Sequence, residues 1–149
     1  MEIKKAIHQI RPFRNDYQKA IVNLLYTHGW LMQQLRSFFT PYGLTIKQYN
    51  VLRILNGAKE AISTSIIRER MLDKMSDASR VVERLYKKGL VEKKGCPHDK
   101  RLVDVWISEQ GVALLAQIDQ KSESLDQILG YLNTGEVTQL NQLLDRLRG

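Results

Sequence analysis

The sequence predicts a mainly α-helical chain with one small β-hairpin, arranged as a winged helix-turn-helix between long flanking helices. Three observations carry that expectation. Apolar residues recur at helical spacing at both ends of the chain. The run from Ser76 to Lys88 makes a helix with one apolar side and one polar, basic side. Two strand-like runs, Leu90 to Lys94 and Leu102 to Ile107, bracket a turn-rich loop.

Each element follows from its residues. From Asn15 to about Phe39, the set Ile21, Leu24, Leu25, His28, Leu31, Met32 and Leu35 keeps helical spacing, and Pro41-Tyr-Gly43 ends the helix. Thr45 and Gln48 have the spacing of a capping box for the next helix. A short helix from Ser63 to Met71 buries Ile66, Ile67 and Met71, with Ser63 or Thr64 as its cap. Ser76 is the expected cap of the following helix. Asp77 suits its positive end, Lys87 and Lys88 its negative end, and Gly89 its stop. Ala78, Val81, Val82 and Leu85 form the side to bury. Ser76, Arg80, Glu83 and Lys87 form the opposite side, flanked by Asp77, Ser79 and Arg84. In the second strand Val103, Val105 and Ile107 alternate with Leu102, Asp104 and Trp106. Beyond Ser108 a long helix carries Val112, Leu115, Ile118, Leu125, Ile128 and Leu132. A break at Asn133-Thr-Gly135 precedes a last helix with Val137, Leu140, Leu143, Leu144 and Leu147.

These elements in this order fit double-stranded DNA. The helix after Ser76 matches a major groove, where Arg80 can pair with guanine, Asp77 can accept from a cytosine amine, and Ser76 and Ser79 can bond to bases or phosphates. Arg84 and Lys87 lie on or beside the same side, and the short helix before it offers Ser63, Thr64 and Ser65 to the phosphate backbone. At the hairpin tip Lys100 and Arg101 are placed to reach the minor groove, with Asp99 holding Arg101 as a supporting ion pair. The competing reading of the same residues is a solvated helix face and a solvated turn. Charge favours the first. Residues 1–44 carry a net +4, residues 45–110 a net +5 and residues 111–149 a net −2, within a total of +7. Charge alone would equally suit RNA or an anionic membrane, but the aromatic pattern of an RNA module is missing.

Other chemistry is poorly provided for. Three scattered histidines and one cysteine give no metal-ligand spacing, and no nucleophile–base pair, glycine-rich phosphate loop or paired carboxylate is seen. No metal, cofactor or catalytic activity is expected. The single cysteine, Cys96, excludes an intrachain disulfide; in the wing loop it is either an inert thiol or an oxidation-sensitive one. With no apolar run of membrane-spanning length and no leader pattern, a cytoplasmic chain is expected.

The motifs together resemble the MarR family of winged-helix regulators. Tyr42-Gly-Leu-Thr through Leu55 is similar to the family's "GLT…Q…VL…L" helix, and Ser76 to Leu85 to its "S…(S/T)R…(D/E)RL" helix. Lys88-Gly-Leu-Val follows, then Asp99-Lys-Arg101 and Ile107-Ser-Glu-Gln-Gly111, like "D(R/K)R…LT…G". The resemblance implies a homodimer on a roughly palindromic operator, acting as a repressor and released by a small-molecule ligand. It implies an N-terminal dimerisation arm and first long helix in residues 1–44, the DNA-binding unit in 45–110, and C-terminal dimerisation helices in 111–149. The dimer surface would use Ile7, Ile10 and Phe13 with Leu140, Leu144 and Leu147. A ligand cleft would fall near His28, Trp30, Met32, Tyr42 and Tyr49, residue types that otherwise simply fill a core. The chain departs from the family in the turn Leu72-Asp-Lys-Met75, which lacks the usual small residue or glycine. It also lacks the N-terminal cysteine of the oxidant-sensing members. From a different class, a winged helix used for protein contact, without its own operator, would show apolar residues at the wing and on the outward helix side. An architectural, nonspecific DNA binder is the third reading.

Overall fold

Helices begin where the sequence supplies a side chain able to accept from an otherwise free backbone N–H. The computed structural model describes residues 1–95, 98–99 and 102–149. By internal contacts the chain forms two units, residues 1–38 and residues 39–149.

The first unit holds helix α1 (Ile3–Ala6), which the sequence did not announce, and most of α2 (Asp16–Phe39). Asn15 opens α2 by accepting from the Gln18 N–H at 2.9 Å, while the Gln18 side chain accepts from the Arg14 N–H at 2.7 Å. The apolar stripe predicted for α2 stays largely uncovered: Ile21 and Leu25 are exposed, and Leu31, Met32 and Leu35 are half-buried.

The second unit contains the reading module. A 3-10 turn over Thr40–Tyr42 and left-handed Gly43 close α2. Helix α3 (Ile46–Ala58) then starts on the expected capping box, with Thr45 Oγ1 accepting from the Gln48 N–H at 3.1 Å and Gln48 Oε1 from the Thr45 N–H at 3.2 Å. Strand β1 (Ile62–Ser63) leads into α4 (Thr64–Arg70), with Ser63 as its cap. Helix α5 (Ala78–Lys87) follows, and then the hairpin of β2 (Val91–Gly95) and β3 (Val103–Ile107). The sheet is antiparallel with order β1-β3-β2. Its third strand was not foreseen, because two residues that end in a helix cap give no periodic signal.

The core of this unit is drawn from α3, α4, α5 and the sheet: Val51, Leu52 and Leu55 of α3, Ile67 of α4, Val82 and Leu85 of α5, Val91 and Val105 of the sheet. Helix α6 (Glu109–Asp119), capped by Ser108, adds Leu115 and Ile118. It enters tightly. A Cβ on Gly111 would stand 2.3 Å from the Leu90 carbonyl oxygen, and Ser108 Oγ donates to the Gly89 carbonyl at 2.7 Å.

Two expectations about boundaries need correction. The long helix after Ser108 is broken into α6, α7 (Ser122–Asp126) and a 3-10 turn over Gln127–Leu129. Between Ile118 and Leu125 every side chain is polar, so no apolar contact holds a helix through that stretch, and Asp119 is drawn to Arg53 of α3 instead. The break read at Asn133 is itself a helix start: Asn133 and Glu136 form a capping box for α8 (Thr134–Arg148).

Leu85, fully buried beneath α5, should be expensive to truncate. Leu85→Ala is expected to lose about 2–5 kcal/mol, against less than about 0.5 kcal/mol for outward-facing Arg84→Ala, as read from denaturant unfolding.

Candidate nucleic-acid interface

Helix α5 is oriented by what it buries. Ala78, Val82 and Leu85 are inside and Val81 is half-buried, as the periodicity requires. Ser79, Arg80, Arg84 and Lys87 are therefore exposed together on the other side. Gly89, at φ +72°, ends the helix, and the Leu90 N–H closes back on the Leu85 carbonyl at 3.0 Å.

The start of α5 differs from expectation. Asp77, not Ser76, is the cap, accepting from the Arg80 N–H at 3.1 Å. Its other oxygen lies 3.9 Å from Arg80 Nε. A carboxylate outcompetes a hydroxyl for this place because it adds charge to the hydrogen bond at the positive end of the helix. Ser76 turns inward: it is 6% exposed, and its hydroxyl has no hydrogen-bond partner among the described residues. It is thus not part of the outward side on which the sequence placed it.

Helices α4 and α5 bring two sets of sequence candidates together. Thr64 and Ser65 from α4, and Ser76, Asp77 and Ser79 from the start of α5, line one open polar cleft of about 380 Å³. Arg68 lines it too and was missed, although it stands four residues after Thr64 and so on the same side of α4. Ser63 is half-buried, its hydroxyl used as the α4 cap. Lys88 donates to Gln48 Oε1 at 2.9 Å and to the Gly43 carbonyl.

In the wing, β2 and β3 pair in the register Val91↔Ile107 through Gly95↔Val103. Val105 is buried while Asp104 and Trp106 are exposed, as the alternation requires. Asp99 is exposed. Cys96, Lys100 and Arg101 lie outside the described residues, and with them the expected Asp99–Arg101 pair. A different ion pair ties wing to helix: Lys93 of β2 donates to the Glu83 carboxylate of α5. That bond holds the Glu83 carboxyl below the usual carboxylate range.

Comparison with known proteins places this geometry. The MarR family model matches residues 42–102. The regulator PecS of Dickeya dadantii is 28% identical over 99% of this chain and 93% of its own length. The transcriptional repressor IacR of Pseudomonas putida is 29% identical over 79% of this chain and 71% of its own. Among solved structures, a cysteine-to-serine mutant of MarR from E. coli in complex with operator DNA superposes with a TM-score of 0.74. It is 27% identical and matches 84% of this chain and 91% of that one. Over its reading unit the chain is similar to MarR-family regulators.

Its departure from the MarR pattern in the turn between α4 and α5 has a local substitute. Asp73 accepts from the Met75 N–H at 3.0 Å, the Ser76 N–H donates to the Asp73 carbonyl at 3.2 Å, and the Leu72 N–H donates to Asn50 Oδ1 at 3.0 Å. A side-chain turn of this kind needs no left-handed residue, so no glycine is required. Lys47 of α3 pins Asp73 at 3.0 Å. This bond, then the Met75 N–H, lowers the Asp73 carboxyl from its usual value; the Ser76 hydroxyl adds to the same field without reaching hydrogen-bond geometry.

The residues expected at a MarR-type ligand cleft fall in both units. In the first, His28 and Trp30 are exposed and Met32 is half-buried. In the second, Tyr42 and Tyr49 are half-buried; Tyr49 stacks on Phe39 with ring centroids 4.2 Å apart and accepts from Arg53 Nε at 2.8 Å. Of the expected dimer residues, Ile10 and Leu147 are exposed, while Ile7, Phe13, Leu140 and Leu144 are half-buried.

A carboxyl held below its ordinary range stabilises the fold at neutral pH, and that contribution is lost as pH falls through its folded value. Lys47→Met should therefore raise the Asp73 carboxyl toward the ordinary range. Carboxyl-carbon NMR titration reads this directly, and an unmoved Asp73 would show that Lys47 does not set it.

Proposed function

We propose that this chain is a homodimeric, sequence-specific DNA-binding transcriptional regulator, a repressor released by a small-molecule ligand. One observation carries the reading: α5 buries its apolar side and presents Ser79, Arg80, Arg84 and Lys87 outward, next to an antiparallel wing. Thr64, Ser65 and Arg68 would take backbone phosphate, Arg80 a base edge, and Lys100 and Arg101 the adjacent minor groove. Similarity to the MarR family supports the operator, since a similar MarR structure is solved with operator DNA, and likeness to the repressor IacR supports repression.

The functional division is residues 1–44 and 111–149 for dimerisation and 45–110 for reading. Supporting the dimer, α8 buries none of its residues although Leu140, Leu143, Leu144 and Leu147 share a side. Two reading helices about one DNA turn apart would make a short contact specific and let their spacing control affinity. The relatives are regulators, and we assign this chain no reaction, metal or cofactor. A regulator of this kind works in the cytoplasm; among the described residues no helix is long and apolar enough to cross a membrane.

Selection of bound sites from random duplexes tests the reading. A pseudo-palindromic site is expected, preferred about a thousandfold or more over scrambled sequence; enrichment of no sequence would leave the protein-contact or architectural reading in its place. Arg80→Ala should cost roughly 1–3 kcal/mol and relax preference at one base position, visible when the selection is repeated. Leu140→Asp with Leu144→Asp should convert the dimer to monomer in sedimentation, whereas an unchanged mass would place the dimer surface elsewhere.

A further inference from the structure

Lys93 occupies an unusual place for a cation. It is the middle residue of β2, on the sheet face it shares with buried Val91, and its register partner is fully buried Val105. An apolar side chain would suit that position. Lysine instead reaches past the edge of the core with its stem and brings its ammonium to two groups of α5: the Glu83 carboxylate, and the Tyr86 ring at 4.8 Å from its centroid. Among the described strands β2 lies at an edge of the sheet, paired with β3 alone, so beyond the hairpin ladder, Val91 and the Leu90 backbone bonds to Leu85 and Ser108, the Lys93–Glu83 pair is a direct side-chain tie between β2 and α5.

Glu83 is equally out of place for a phosphate-facing helix. It stands three residues after Arg80 and four before Lys87 on the outward side, where a free carboxylate would repel DNA. Resting on the DNA-binding reading above, we propose that Glu83 and Lys93, with Tyr86 beneath, form a clamp that fixes the wing at the angle to α5 from which both engage one duplex. Both are positioning residues: Lys93 contacts Glu83 rather than a phosphate, and Glu83 acts on DNA through the wing.

The clamp and simple electrostatics demand opposite signs. Glu83→Gln deletes an anion facing DNA, so repulsion alone predicts tighter binding to the selected duplex. The clamp predicts weaker binding, by about threefold to fivefold, the size of a half-exposed ion pair. It also predicts that the slope of log affinity on log salt shrinks by about one as a wing phosphate contact is lost. In the free protein, amides of Val91–Gly95 should exchange faster. Lys93→Arg keeps the pair and should retain wild-type affinity, salt slope and exchange. Adding Glu83→Gln to Lys93→Met should cost nothing further, since the clamp is already open. Tighter binding by Glu83→Gln, or unchanged β2 exchange, overturns the clamp. Should the wild-type protein select no duplex, the regulator reading fails on that result, and the exchange measurement decides the clamp by itself.

Discussion

Burial of one side of α5 is the constraint on which the rest of this structure depends. Val82 and Leu85 can leave water only by packing against α3, α4 and β2, and once they do, the direction of every other side chain on that helix is fixed at 100° per residue. Arg80 and Lys87 do not need to be steered outward by contacts of their own. The same burial sets the wing, because Gly89 ends α5 in a left-handed turn and delivers the chain directly into β2.

Around that core, charges are sorted by a simple competition. A cation that finds an acceptor nearby is held by it; one that does not stays available. Lys88 is held by Gln48 and Gly43, Lys47 by Asp73, Lys93 by Glu83 and Arg53 by Asp119. Arg84 and Lys87 stay exposed on the side proposed to meet DNA, and Arg80, 71% exposed, stays there too despite its long 3.9 Å pairing with Asp77.

The terminal helices present the opposite problem. Ile21 and Leu25 of α2, and Leu143 and Leu147 of α8, remain exposed at helical spacing within their own segments. Apolar side chains in such numbers on a 149-residue chain call for a covering surface. The proposed dimer supplies it with a second copy of the same helices, and so links the spacing of two reading helices to whatever alters those segments.

Much of this was legible in the residues because it is local. The capping box at Thr45, the closing glycine at 89, the buried set Ala78, Val82 and Leu85, and the alternation of β3 each need only neighbours within a few positions, where spacing and hydrogen-bonding chemistry decide the outcome. What tertiary structure alone decided involves competition between distant groups. It chose Asp77 over Ser76 as the cap and turned Ser76 inward, added β1 to the sheet, and broke the helix after Asp119. It also paired Lys93 with Glu83 and placed Arg68 beside Thr64 and Ser79. Spacing hints at two of these, the Thr64–Arg68 side of α4 and the polar run after Ile118; the rest depend on which partner the fold brings within reach, and a sequence read in order does not contain that distance.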